Sequence, residues 1–293
     1  METKRTIPPS ELIINADGSV FHLHIRPEQL ADKVILVGDP ARVDAVASRF
    51  ERIECNVSNR EFHTVTGWYG DKRITVQSHG IGSDNIDIVL NELDALANID
   101  FDTRQVKDRL RKLTLVRVGT SGGLQDNTPI GSYVAAERSI GFDGVMYFYS
   151  DTEKIRDAAF EAALQYQLEW KIEGLKPYVI PAEKTLTDRI CREEDILRGV
   201  TIAANGFYGP QGRRLRLPLK DEDLNRKIQA FDFNGSRITN YEMESSSLAG
   251  LAALMGHEAV TVCCIIAGRK SEKMNTSYQG SIEGLIDLVL ERI

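Results

Sequence analysis

The sequence predicts a three-layer α/β/α domain with a mixed central sheet, and three observations support it. Short runs such as 33–37 (KVILV) and 113–118 (LTLVRV) have apolar residues on both faces, as strands covered from both sides require. They alternate with segments whose apolar residues recur at helical spacing. No Gly/Pro/Ser-rich linker and no repeat divides the 293 residues, so a single domain is expected over 1–293.

Residues 33–37 stop at Gly38, Asp39 and Pro40, after which Val43, Val46, Ala47 and Phe50 recur at helical spacing. That pattern reads strand, turn, helix. The stretches 61–69 (EFHTVTGWY) and 72–78 (KRITVQS) are rich in β-branched and aromatic residues and flank Gly70-Asp71, which predicts a hairpin. A helix over about 83–98 follows, with Ile86, Val89, Leu90, Leu93, Leu96 and Ala97 on one stripe. Residues 100–112 (DFDTRQVKDRLRK) are charged at eight of thirteen positions and are expected to form a solvated insertion. The strand 113–118 then runs into a glycine-rich loop, Gly119-Thr120-Ser121-Gly122-Gly123. Further strands are expected at 131–136 and 258–267, and helices at 151–168, 242–255 and 281–292.

Composition narrows the function. With 43 acidic against 36 basic residues the net charge is −7, which speaks against a nucleic-acid partner while leaving room for a local basic pocket. No apolar run reaches the roughly 18 residues of a membrane span. The N-terminus (METKRTIPPS) lacks an apolar stretch leading to a small-residue cleavage site. A cytoplasmic protein without membrane contact is expected. Four cysteines are too few for a disulfide scaffold, and Cys263 and Cys264 sit in an apolar run as small core residues. Neither C-x-x-C nor H-E-x-x-H occurs, and His22 with His24 makes too few ligands, so no metal is expected.

Four segments carry chemistry. In VGDPARV (37–43), Gly38 lets backbone N–H groups approach an anion, the helix start adds its dipole, and Arg42 on the first turn adds a full charge; Gly-Asp-Pro is also an ordinary turn. In RVGTSGG (117–123), Arg117 is out of place in an apolar strand. It must either pair with a buried carboxylate or face a ligand, because an unpaired buried charge costs several kcal/mol. Thr120 and Ser121 add hydroxyls, and two cradles with an arginine each suggest one oxyanion held between them. In NYEMES (240–245), Glu242 and Glu244 precede a buried helix. One carboxylate is enough to cap it, which leaves the other for the vicinal hydroxyls of a ribose. In GFYGPQGRR (206–214), an exposed loop by its composition, Gln211 and Arg213 offer the donors and acceptor that grip an imide-like heterocycle, and Phe207 could stack on it. His22 and Arg60 are, on their own, ordinary polar residues.

Taken in order, F-H-L, V-x-x-G-D-P-x-R-V, N-R-E-F, H-G-I-G, R-V-G-T-S-G-G, F-Y-G-P-Q-G-R and N-Y-E-M-E-S resemble the nucleoside phosphorylases of the uridine phosphorylase type across nearly the whole chain. The resemblance implies an α/β/α domain whose mixed sheet partly closes into a barrel. It implies that Gly38, Arg42, Arg117 and Thr120 hold phosphate, joined by Arg60 of a neighbouring subunit. Met243 and Glu244 would hold the ribose, with the neighbour's His22 at the 5′-hydroxyl. Phe207, Gln211 and Arg213 would hold uracil, with Glu242 and Arg269 beside it. Purine-cleaving relatives carry an aspartate just before the position of Arg269, where this chain has Gly268, which favours a pyrimidine.

The implied reaction is reversible phosphorolysis of uridine to uracil and ribose 1-phosphate, with no organic cofactor and no metal. Some relatives bind a monovalent cation through a glutamate like Glu61, but none is predicted here. Shared pockets imply an obligate homodimer at least, with a hexamer of three dimers also open. The alternatives are a purine nucleoside phosphorylase, a hydrolytic nucleosidase of the same superfamily, or a nucleoside-binding protein without turnover.

Overall fold

The computed structural model describes residues 4–293. The elements run β1 (Lys33–Val37), α1 (Pro40–Ala47), β2 (Arg52–Asn59), β3 (Phe62–Tyr69), β4 (Lys72–Ser78), α2 (Ser83–Asn98), β5 (Ile99–Asp100), β6 (Gln105–Val106), β7 (Thr114–Gly123), β8 (Tyr133–Gly141), α3 (Ala158–Leu168), β9 (Tyr178–Pro181), α4 (Lys184–Ile190), β10 (Ile196–Ala203), α5 (Leu224–Ala230), β11 (Ile238–Glu242), α6 (Ser245–Met255), β12 (Glu258–Gly268), β13 (Lys273–Met274) and α7 (Gln279–Arg292).

Eleven strands share one mixed sheet. β1 lies parallel between β4 and β7, and the sheet continues antiparallel through β3 to β2. On the other side it curls. β7 pairs parallel with β12, β12 antiparallel with β8, β8 parallel with β10, β10 parallel with β11, and β11 antiparallel with β7 again. Five strands thus close a small barrel, and β1, β4, β3 and β2 leave it as an open wing.

Alternation along the central strands covers both faces. Val34 and Leu36 of β1 and Leu115 of β7 pack with α2 and α6, while Ile35, Val37, Val116 and Val118 pack with α1, α4 and α7. Each fully buried side chain of this kind contributes ~1.5–3 kcal/mol relative to an exposed one. By the same alternation Arg117 lies on the face of α2 and α6.

β7 is the seam between wing and barrel. Its first half, Thr114–Val118, pairs with β1, and its end, Gly122 and Gly123, pairs with β11. Gly119, Thr120 and Ser121 have β12 on one side and, among the described residues, no strand on the other. The expected glycine-rich loop is therefore extended strand as far as Gly123, held straight by the long β12 ladder.

Other boundaries shift for local reasons. The helix expected over 151–168 starts at Ala158, where the Asp157 side chain accepts from Phe160 N–H at 3.1 Å, and a 3₁₀ turn occupies Thr152–Lys154. The helix expected from 242 starts at Ser245, because Glu242 still belongs to β11. The charged segment 100–112 forms a short ribbon, β5 with β6, tied back by Arg111 to Asp32 at 2.6 Å. Among the described residues no helix is long and apolar enough to cross a membrane.

Candidate active site

A cavity of about 1010 Å³ opens where β7 changes partners, bounded by the ends of β1, β7, β11 and β12. Gly38, Arg42, Arg117, Thr120, Phe207, Gln211, Arg213, Glu242, Met243, Glu244 and Arg269 all line it.

One half suits an anion. At Gly38 a Cβ would lie 3.2 Å from the Gly80 carbonyl oxygen, so a larger residue would press the two turns apart by a few tenths of an ångström. Asp39 caps α1 by accepting from Ala41 N–H at 3.0 Å. Arg42, on the first turn, donates to the Val118 carbonyl at 3.3 Å, and no carboxylate pairs with it among the described residues. Burial, with Arg117 second, pulls its pKa down. A half-buried cation in this position is improved by any anion that reaches it.

Arg117 resolves the choice posed by its sequence position, since it pairs with two buried carboxylates and spends four of its five N–H groups on protein partners. Nε donates to His79 Nε2 at 3.1 Å, Nη1 to Glu242 at 3.0 Å and to Cys263 Sγ at 3.7 Å, and Nη2 to Glu244. A guanidinium has five N–H groups, so one on Nη2 has no partner among the described residues, and Arg117 lines the cavity. Burial opposes the charge, but Glu244 and Glu242 outweigh it and keep Arg117 protonated. Gly119 makes this packing possible, because a Cβ there would lie 2.6 Å from Arg117 Nη1.

The two carboxylates divide their work. Glu242 accepts from the N–H groups of Glu244 at 2.9 Å and Ser245 at 3.0 Å, and from Ser245 Oγ at 2.6 Å. It therefore caps the start of α6, and both its oxygens are committed there and to Arg117; the sequence reading had put it beside the base. Glu244 reaches across instead, accepting from Gly82 N–H at 2.7 Å and from Arg117. Burial raises its pKa, with Arg117 pulling the other way.

The other half of the cavity suits a planar base. Composition makes 206–214 an exposed loop, yet a 3₁₀ turn at Gly209–Gln211 folds Gln211 inward until it is 3 % exposed. Arg213 stacks its guanidinium 3.6 Å over the Phe207 ring and donates to Gln211 Oε1 and the Phe207 carbonyl, each at 2.5 Å. Gln211 Nε2 has no partner among the described residues. Arg269 donates to the Gln211 carbonyl at 2.8 Å and sits 5.8 Å from the Tyr241 ring, with its buried Nε unpartnered. Burial and then Arg269 push Arg213 down to about 10.

His22 and Arg60 do not line this cavity. His22 Nδ1 lies 2.6 Å from Glu92, and the Arg60 guanidinium lies 5.5 Å from the Phe21 ring. Sequence reasoning missed His79, a fully buried histidine that burial and Arg117 hold well below the ordinary value of 6.5. H-G-I-G was visible as a motif, but nothing local showed that its first residue supports an arginine.

A sequence profile of the phosphorylase superfamily matches residues 32–284. The chain belongs to the phosphorylase superfamily. Among its relatives, a uridine phosphorylase of Thermococcus kodakarensis is 27 % identical over 259 residues, 86 % of this chain and 79 % of the relative. One of Haemophilus influenzae is 27 % identical over 261 residues, 88 % and 89 % of the two chains. A crystal structure of a Trypanosoma brucei nucleoside phosphorylase that shows uridine phosphorylase activity superposes with a TM-score of 0.87 at 28 % identity, covering 96 % of this chain and 98 % of that one. The phosphorylase fold thus extends over the barrel and the wing together.

Proposed function

We propose that this protein catalyses the reversible phosphorolysis of uridine to uracil and ribose 1-phosphate. The observation that carries the reading is the two-sided cavity: Arg42, without a carboxylate partner, faces one end, and the Gln211–Arg213 pair faces the other. Relatives named for that activity support it.

Phosphate in the anion half would be held by Gly38, Arg42, Thr120 and the remaining N–H of Arg117, below C1′ of the nucleoside. The ribose would lie on Met243, its hydroxyls donating to Glu244. As the C1′–N1 bond breaks, its electron pair goes to uracil and C1′ takes on positive charge. A phosphate oxygen then bonds to C1′, and the phosphate proton ends on uracil. No side chain needs to attack, so catalysis is positioning and charge stabilisation. Gln211 and Arg213 would stabilise the leaving base, each by about 3 kcal/mol if they act like oxyanion donors. Gly268, in place of an acid, has itself no side chain to protonate a purine ring.

The same reading makes the active unit a homo-oligomer of single-domain chains, at least a dimer, because His22 and Arg60 would enter an adjacent subunit's cavity. It also makes the protein cytoplasmic and free of organic cofactor. Its test is uridine turnover with and without phosphate, followed by nucleoside absorbance and ribose 1-phosphate formation. Turnover only with phosphate is expected; equal rates in phosphate-free buffer would overturn it.

A further inference from the structure

Glu92, on α2, makes no contact with the cavity. Its carboxylate instead collects three donors from one surface segment. It accepts from His22 N–H at 3.0 and 3.1 Å, from Leu23 N–H at 2.8 Å, and from the His22 ring at Nδ1, 2.6 Å away. A carboxylate is acceptor only, so the proton in that last contact lies on Nδ1. In the neutral ring the lone pair is then on Nε2, and no group touches Nε2 among the described residues.

The surroundings hold that ring as part of a unit. Asn59 donates to the His22 carbonyl at 2.8 Å, tying the β2–β3 turn to this segment. Phe21 meets the His22 ring edge-on, with centroids 4.9 Å apart, and Arg60 covers Phe21. Arg60 sits in that turn with φ of 55°, a left-handed conformation that is uncommon for a residue with a side chain. The two residues absent from their own chain's cavity are therefore presented together, on one knitted patch, an outward acceptor beside a cation.

We propose that Glu92 is a positioning residue for His22, fixing its Nδ1–H tautomer so that Nε2 accepts the 5′-hydroxyl of a nucleoside bound in the adjacent subunit. The inference rests on the reading of His22 given under the proposed function and adds the group that sets its donor and acceptor sides. Glu92 itself never touches the substrate.

Glu92→Gln keeps the shape of the side chain but presents an amide N–H to Nδ1, which favours the opposite tautomer. The variant should lower kcat/KM for uridine about tenfold, the worth of one hydrogen bond, mainly through KM, and leave 5′-deoxyuridine within about twofold. NMR shifts of the ring nitrogens should place the proton on Nδ1 in the unmodified protein and on Nε2 in the variant. Equal losses on both substrates, while His22→Ala discriminates between them, would overturn the role of Glu92 alone. A His22→Ala protein that treats the two substrates alike would overturn the reading of His22 beneath it. Should Glu92→Gln fail to fold, the unmodified protein still decides: a proton found on Nε2 excludes the proposal, and one on Nδ1 supports it.

Discussion

Arg117 Nη2 donates to Glu244 Oε2, joining β7 to the start of α6 across 127 positions of chain. Under the proposed function that guanidinium would meet the phosphate while its partner Glu244 meets the ribose, so one ion pair would serve both. Removing Arg117 would strand two buried carboxylates. Arg117→Ala should therefore cost roughly 3–5 kcal/mol of stability, and Glu244→Gln less. The double variant should cost clearly less than the sum, measured by denaturant unfolding. Strict additivity would mean the pair is not coupled in solution.

Arg42 has no carboxylate to lose, so its removal should leave the fold intact. Arg42→Ala should raise KM for phosphate roughly 10- to 100-fold, as expected for one hydrogen bond to a charged group. KM for uridine should change little. A matching rise for uridine would move Arg42 away from the anion.

Gln211 is buried with its amide donors unused. Gln211→Ala should lower kcat/KM for uridine by roughly 100- to 1,000-fold, in line with the loss of one donor to developing negative charge. Inosine should not become a substrate, since the change removes contacts without adding any that suit a purine. Inosine turnover by the unmodified protein would refute the pyrimidine assignment.

His79 ties stability to pH. Its folded pKa is depressed by burial and by Arg117, so the unfolded chain binds a proton that the folded one refuses. Stability is full above the unfolded value near 6.5 and is lost as pH falls from there toward the lowered folded value. The slope approaches about 1.4 kcal/mol per pH unit for one such group. Melting curves between pH 7 and pH 5 should show this fall, and His79→Gln should flatten it.

Local signals were enough for much of this site. Gly38, Pro40 and Arg42 announce a turn and a helix start within seven residues, and Arg117 stands out because it interrupts an apolar strand. What the sequence could not show was partnership at a distance. Glu242, Glu244 and His79 converge on Arg117 only through the order of β1, β4, β7 and β11. β2 was missed because it is an edge strand with charged, exposed positions such as Arg52 and Glu54. The strand character of 119–123 was missed because glycine weakens a strand in isolation, whereas here the β12 ladder decides.

The stretch of β7 at Gly119–Ser121, paired with β12 on one side only among the described residues, separates two kinds of inheritance in this molecule. On its β7 side the anion end is a notch in a closed ladder, so that side is fixed by register. The base end is made largely by the 206–214 turn, which lies outside every strand and can be rebuilt residue by residue. A chain of this design can therefore trade one heterocycle for another while keeping the same phosphate chemistry, and grafting the 206–214 turn is the shortest route to doing so.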